Sequence, residues 1–164
     1  MTYRILLPIE EKNHAKAQVN FLCEHKLPAD AQIFLLCVVQ PVVPRGYGYA
    51  IPYNYFEEMA QEDERWFNEL LSETESQLKQ HFPDLQIEKR VKLGVPVDEI
   101  LKEAKERDVQ WILIGSHGRK GLDRFFLGSV SQSVVNRADC SVTIVRLVDE
   151  VTLPETKESS HPNC

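Results

Sequence analysis

Short apolar runs and helical stripes alternate along the chain. Ile5-Leu6-Leu7-Pro8-Ile9 is apolar without alternation and is followed by charge, the pattern of a strand buried on both faces. Pro8 has no N–H for a ladder, so this strand should loosen at its C-terminal end. Ala15, Val19, Leu22 and Cys23 then recur at helical spacing and stop before Leu27-Pro28. Ile33 to Val39 predicts a second buried strand. Residues 41–55, with Pro41, Pro44 and Pro52 among Tyr47, Tyr49, Tyr53 and Tyr55, read as a loop. A long helix should follow, its stripe made by Phe56, Met59, Ala60, Phe67, Leu70, Leu71, Thr74 and Leu78. Leu85, Ile87, Val91 and Leu93 stand on alternate positions with charges between, as in an edge strand or one with a solvated face. Pro96 opens a third helix bearing Val97, Ile100, Leu101 and Ala104. Trp111 to Ile114 and Val142 to Val145 predict two more buried strands, and Val130, Val134, Val135 and Ala138 mark a short helix between them.

The resulting β-α-β-α-β-α-β-α-β order is that of an α/β protein. Short apolar strands joined by helices need crossovers, which predicts a three-layer open sandwich with a five-stranded parallel sheet and helices on both faces. The domain is expected over 1–147, with residues 148–164 as a flexible polar tail.

Composition narrows the function only by exclusion. Of 164 residues, 43% are hydrophobic, enough for one real core. Nineteen basic and 25 acidic residues give a charge of -6, which argues against nucleic-acid polymers as partners. No apolar run approaches the roughly 18 residues of a membrane span, so a cytoplasmic protein without membrane contact is expected. Cys23, Cys37 and Cys140 stand singly in apolar surroundings and Cys164 ends the chain, with no C-x-x-C pair. They read as reduced, structural thiols.

In a sheet of order 3-2-1-4-5 ligands bind beyond the strand ends where the order reverses, here the loops after strands one, two and four. The third of these, Gly115 to Ser129, holds four of the seven glycines, follows a strand and runs into a helix. Glycines let backbone N–H groups approach an anion, and a helix start adds unsatisfied donors and a favourable dipole. Ser116, Ser129 and Ser131 offer hydroxyls, and Arg119, Lys120 and Arg124 gather positive charge in an acidic chain. The plainer alternative is a strand-to-helix connection that needs glycine for its turns. The spacing G-x-x-x-x-G-K-[ST] is absent, and no G-x-G-x-x-G follows the first strand, so neither a P-loop nor the usual dinucleotide fingerprint applies.

Gly115-x-x-Gly118, nine residues, then Gly128-Ser129 matches the G-x2-G-x9-G-[ST] signature of the universal stress protein family. The strings ILLPI, FLLCVV, GVPVDEIL, WILIGSHGR and SVTIVR are similar to that family too, and the resemblance covers residues 3–147. It implies an ATP site, with or without Mg²⁺, made by three loops. Pro8, Ile9 and Glu10 would approach ribose and base, and the backbone of Val38 and Val39 would contact the base. Gly115, Ser116, His117, Gly118, Arg119, Gly128, Ser129, Val130 and Ser131 would surround the phosphates. Glu10 departs from the family's usual Asp, keeping the acceptor but adding a methylene.

The resemblance implies a regulatory role in stress adaptation. No dedicated catalytic set is recognisable, and slow ATP hydrolysis is the most that is expected. His117 reads as a structural or ligand-contact residue rather than a general base. Glu10 and Glu11, as neighbours at a strand end, point apart. His14, His25, His81 and His161 lack metal-ligand spacing. Ser141 to Leu147 is β-rich with a single charge, and at a sheet edge would invite another chain. The family resemblance likewise implies a homodimer through Val142, Ile144 and Arg146. A non-nucleotide-binding dimeric signalling module of the same fold is the competing reading, suggested by Glu10 and the tyrosine-rich loop.

Overall fold

Successive residues of a strand point to opposite faces, so an uninterrupted apolar strand is stable only between two layers of helices. The computed structural model describes residues 2–40, 53–116 and 127–146 (of 53–63 the backbone alone) and shows this arrangement. In chain order the elements are β1 (Arg4–Pro8), α1 (Lys12–Cys23), β2 (Gln32–Val39), α2 (Tyr53–His81), β3 (Gln86–Leu93), α3 (Pro96–Glu106), β4 (Trp111–Gly115), α4 (Ser129–Arg137) and β5 (Ser141–Val145). The strands form one parallel sheet of order β3-β2-β1-β4-β5.

Ile5, Leu7, Ile33 and Leu35 face α1 and α2, where they pack with Val19, Leu22, Phe67, Leu71 and Leu78. Leu6, Phe34, Leu36, Ile112 and Ile114 face α3 and α4, where Ile100, Ala104 and Val134 cover them. Burial also pushes the Cys37 thiol up to about 12, and raises Cys23 and Cys140 from the ordinary thiol value, which leaves them as inert apolar groups. Among the described residues no helix is long and apolar enough to cross a membrane.

Three local expectations change. Tyr53 and Tyr55 belong to α2, not to the preceding loop, because clustered prolines mark a boundary only to within a few residues. Val135 is 43% exposed: α4 turns Ser131 and Val134 inward, and one step of 100° carries Val135 away from that face. Leu93 is 66% exposed at the end of β3, where it joins no apolar cluster. Residues 41–52 and the tail from 147 onward lie outside the described residues.

β3 is an edge strand, and its alternation has a specific cause. Arg90 and Lys92 meet Glu103 of α3 instead of an apolar helix face, and Glu88 meets Arg107 at the end of that helix. Glu103, 1% exposed, receives Lys92 Nζ at 2.6 Å, Arg107 Nε at 3.3 Å and Arg90 Nε at 3.6 Å. Arg107 also pairs with Glu88 at 3.2 Å and lies 5.0 Å over the Phe34 ring. Such a charged edge resists pairing with a stray strand.

Desolvation alone would lower the Lys92 ammonium, but the hydrogen bond and charge of Glu103, with Glu99 and Glu106 behind it, hold its pKa above the ordinary lysine value. A raised lysine pKa contributes stability in full below about pH 10, and this is lost as pH climbs through the folded value. Glu103→Ala should therefore cost about 3 kcal/mol at pH 7 in urea unfolding, because it strands partly buried cations. Glu103→Gln should cost less and should flatten the alkaline loss of stability.

Candidate functional site

β1 and β4 are neighbours in the sheet but separate early. Their register includes only Ile5↔Trp111 and Leu6↔Ile112. Where the two strands part, the Gln18 side chain of α1 fills the gap. Its amide nitrogen donates to the carbonyl of Pro8 at 3.0 Å and to that of Leu113 at 2.9 Å. Gln18 is fully buried, so these two bonds replace ladder bonds that the splayed strands cannot make. Beyond this bridge lies a crevice at the point where the strand order reverses, the expected ligand position in an open α/β sheet.

The crevice encloses about 450 Å³, within the roughly 300–1,000 Å³ of small-molecule sites. The end of β1 supplies Pro8, Ile9 and Glu10, and the end of β2 supplies Val38, Val39 and Gln40. Gly115 ends β4, and Gly128, Ser129, Val130 and Ser131 begin α4. Leu36, Phe67, Pro96 and Ile100 make apolar walls. The structure thus gathers most of the residues nominated from the sequence around one cavity. Ser116 is buried beside it, and His117, Gly118 and Arg119 lie outside the described residues.

Backbone direction sets what β2 shows to the cavity. Ile9 N–H donates to the Leu36 carbonyl at 2.8 Å, whereas Gly94 N–H donates to the Val39 carbonyl at 2.9 Å. Peptide groups in a parallel ladder alternate between neighbours, so Val38, like Leu36, turns its N–H and C=O toward β1. β1 has ended by that level, and the Val38 pair opens on the crevice.

The glycine loop is closed at its neck. The Ser116 carbonyl accepts Gly128 N–H at 2.7 Å and lies 3.2 Å from the Ser131 hydroxyl, which is also 2.9 Å from the Gly128 carbonyl. Ser131 therefore directs its hydroxyl at backbone carbonyls, and its contribution is to hold the neck. Above it, Gly128 begins α4 without a side-chain cap, and α4 has no acidic residue in its first turn. The same is true of α1. By contrast α3, whose start lies at the same end of the sheet, carries Asp98 and Glu99 in its first turn. Both helix starts open on this cavity, that of α4 with no acidic side chain to offset its positive end and that of α1 with Glu11 at its N-cap.

Two side chains of the site were not apparent in the sequence. Gln18 is one and His14 the other. The His14 ring is 3% exposed, lines the cavity and places Nδ1 3.5 Å from the Glu11 carboxylate. It also explains Gly115: a Cβ there would stand 2.6 Å from His14 Cδ2. That glycine accommodates an imidazole. Glu11, His14 and Gln18 follow the i, i+3, i+7 spacing of one helix face, the only trace they leave in the sequence. Among the described residues no three His, Cys, Asp or Glu side chains gather as a metal-ligand set.

A profile of the universal stress protein family matches residues 1–146. The chain belongs to that family. A universal stress protein of Methanothermobacter thermautotrophicus is 35% identical over 132 residues, covering 77% of this chain and 87% of the relative. Among solved structures, UspA from Lactobacillus plantarum superposes with a TM-score of 0.71 at 21% identity, covering 88% of this chain and 97% of its own. A family member from Arabidopsis thaliana with AMP bound has a TM-score of 0.62 at 22% identity, covering 93% and 97%. The Archaeoglobus fulgidus protein in complex with dAMP has a TM-score of 0.59 at 20% identity, covering 87% and 97%. These likenesses establish the fold, with the family's five-stranded sheet and four helices.

Gly115→Ala should cost about 2 kcal/mol in urea unfolding, since the new methyl must displace a packed ring. In a His14→Ala background the same substitution should cost less than half as much. Equal costs in the two backgrounds would show that the ring does not dictate the glycine.

Proposed function

We propose that this protein is a regulatory adenine-nucleotide-binding protein of stress adaptation, acting in the cytoplasm, with ATP as its ligand. The observation that carries this reading is the opening of the α4 start, which no acidic side chain offsets, on one 450 Å³ crevice with apolar walls. An adenine between those walls would meet the Val38 peptide, whose adjacent donor and acceptor match the N1 and N6 edge of the base. Glu10 would reach the ribose hydroxyls, and the N–H groups after Gly128 would take phosphate oxygens. The named ligands of the AMP-bound and dAMP-bound relatives agree in chemical class. No step here requires Mg²⁺ held by protein side chains.

Calorimetric titration with AMP, ADP and ATP, each with and without Mg²⁺, tests the reading. Binding tighter than 1 mM is expected for at least one of them, and its absence for all three overturns the proposal. Gly128→Asp is the informative variant. Asp is a good N-cap, so the melting temperature should hold or rise, while its carboxylate occupies the donors a phosphate needs. Affinity should then fall about tenfold or more, as expected for lost charge-assisted hydrogen bonds.

The same proposal includes a homodimer through β5, which lies at the sheet edge. Ser141 N–H and the Val145 carbonyl bond toward β4, so Val142, Ile144 and Arg146 turn their peptide groups outward. Val142 and Ile144 side chains pack on the α4 face, which makes Arg146→Pro the cleaner test. It removes an outward donor and should convert a sedimenting dimer to a monomer. A dimer that binds no nucleotide would instead favour the interaction-module reading.

A further inference from the structure

We propose that His14 takes up a proton when the phosphate of a bound nucleotide enters the crevice, so that phosphorylated ligands bind in a proton-linked step that the nucleoside lacks. The inference rests on the adenine-nucleotide reading of this cavity and adds a role for a residue outside the glycine signature.

Position comes first. His14 stands in the first turn of α1, its ring lining the crevice and backed by Gly115 so closely that no Cβ fits between them. It shares that crevice with Gly128 and Ser129, where a phosphate would lie. With 3% exposure the ring has little water to answer a change of charge, so a new charge in the cavity acts on it with little screening.

Among the described residues, the charged groups at the ring come from the α1 end. The turn before α1 brings Glu10 and Glu11, the latter 3.5 Å from Nδ1. Lys12 of α1 is directed instead to Glu73 of α2, at 3.0 Å. The lining from α2 is Phe67, that from β4 is Ile114 and Gly115, and that from α4 runs from Ser129 to Ser131, all uncharged. His117, Arg119, Lys120, Asp123 and Arg124 belong to the stretch outside the described residues, and the test separates them from His14. Burial and the positive end of α1 disfavour the imidazolium, while the Glu11 carboxylate favours it. A phosphate dianion at the helix starts adds a second negative neighbour. An opposite charge within about 4–6 Å raises a histidine pKa by about 1 unit or more.

The experiment is calorimetric titration of the full chain with AMP and with adenosine at pH 7.5, in buffers of different ionisation enthalpy. The phosphate, with a second pKa near 6, is there almost wholly dianionic, so a proton taken up belongs to the protein. Uptake of roughly 0.1 to 0.5 proton per AMP and none per adenosine is expected, because a pKa shift of about one unit changes the occupancy of one site by at most about one half. His14→Asn should abolish the uptake while adenosine still binds. If that variant does not fold, the histidine ring signals of the wild type decide. The His14 titration midpoint should rise about one unit with AMP and stay fixed with adenosine. AMP binding without proton uptake overturns the inference and leaves the nucleotide reading intact. So does uptake that survives His14→Asn, or uptake lost in His117→Asn with the His14 midpoint unmoved. No binding of any adenine nucleotide overturns both.

Discussion

The crevice depends on one buried amide. Two parallel strands that separate leave carbonyls facing each other across a dry gap, and unpaired buried acceptors are costly. Gln18 meets both with one NH₂ group, donating to Pro8 on β1 and Leu113 on β4. Pro8 contributes from the other direction, since a residue without an N–H cannot extend the ladder. The strands therefore part at a fixed place, and Glu10, Val38 and Gly115 come to face the same space. The remaining features of the site, two helix starts and an apolar slot, are arranged around that separation.

The two ends of the sheet's α3 face handle charge in opposite ways. At β3 a nearly water-free glutamate is surrounded by Lys92, Arg90 and Arg107, so the edge is closed by ion pairs made within the chain. At β5 the strand is short and bears apolar side chains turned inward, and no such group of ion pairs is seen over its outward peptide groups among the described residues. Charge closes one edge from within the chain, and the other is built from apolar side chains and backbone. The crevice lies between these two edges.

The strands were legible because a buried parallel strand needs unbroken apolar residues, and little else in a chain this charged has them. β3 was legible as an edge for the converse reason, although its polar partner, the buried Glu103, was not foreseen. The loops of the site followed from strand order and glycine spacing. His14 and Gln18 did not, because polar residues on a buried helix face give no hydrophobic period. Their burial emerges only once α1 is laid against the gap between β1 and β4. Gly115 shows the same limit: its need for no side chain was readable, but the reason, an imidazole pressed against it, was not. The start of α2 at Tyr53 and the exposure of Leu93 and Val135 differ from the reading by a few residues or one helical step, where local pattern is weakest.

The bond from Gly128 N–H to the Ser116 carbonyl ties the start of α4 to the end of β4, and Ser131 secures the same carbonyl from inside the helix. The position of that helix start is therefore set by the neck and not by the chain running between the two residues. A displacement at the end of β4 would therefore carry the donors at the start of α4 with it, so these two walls of the crevice would move together and keep their spacing.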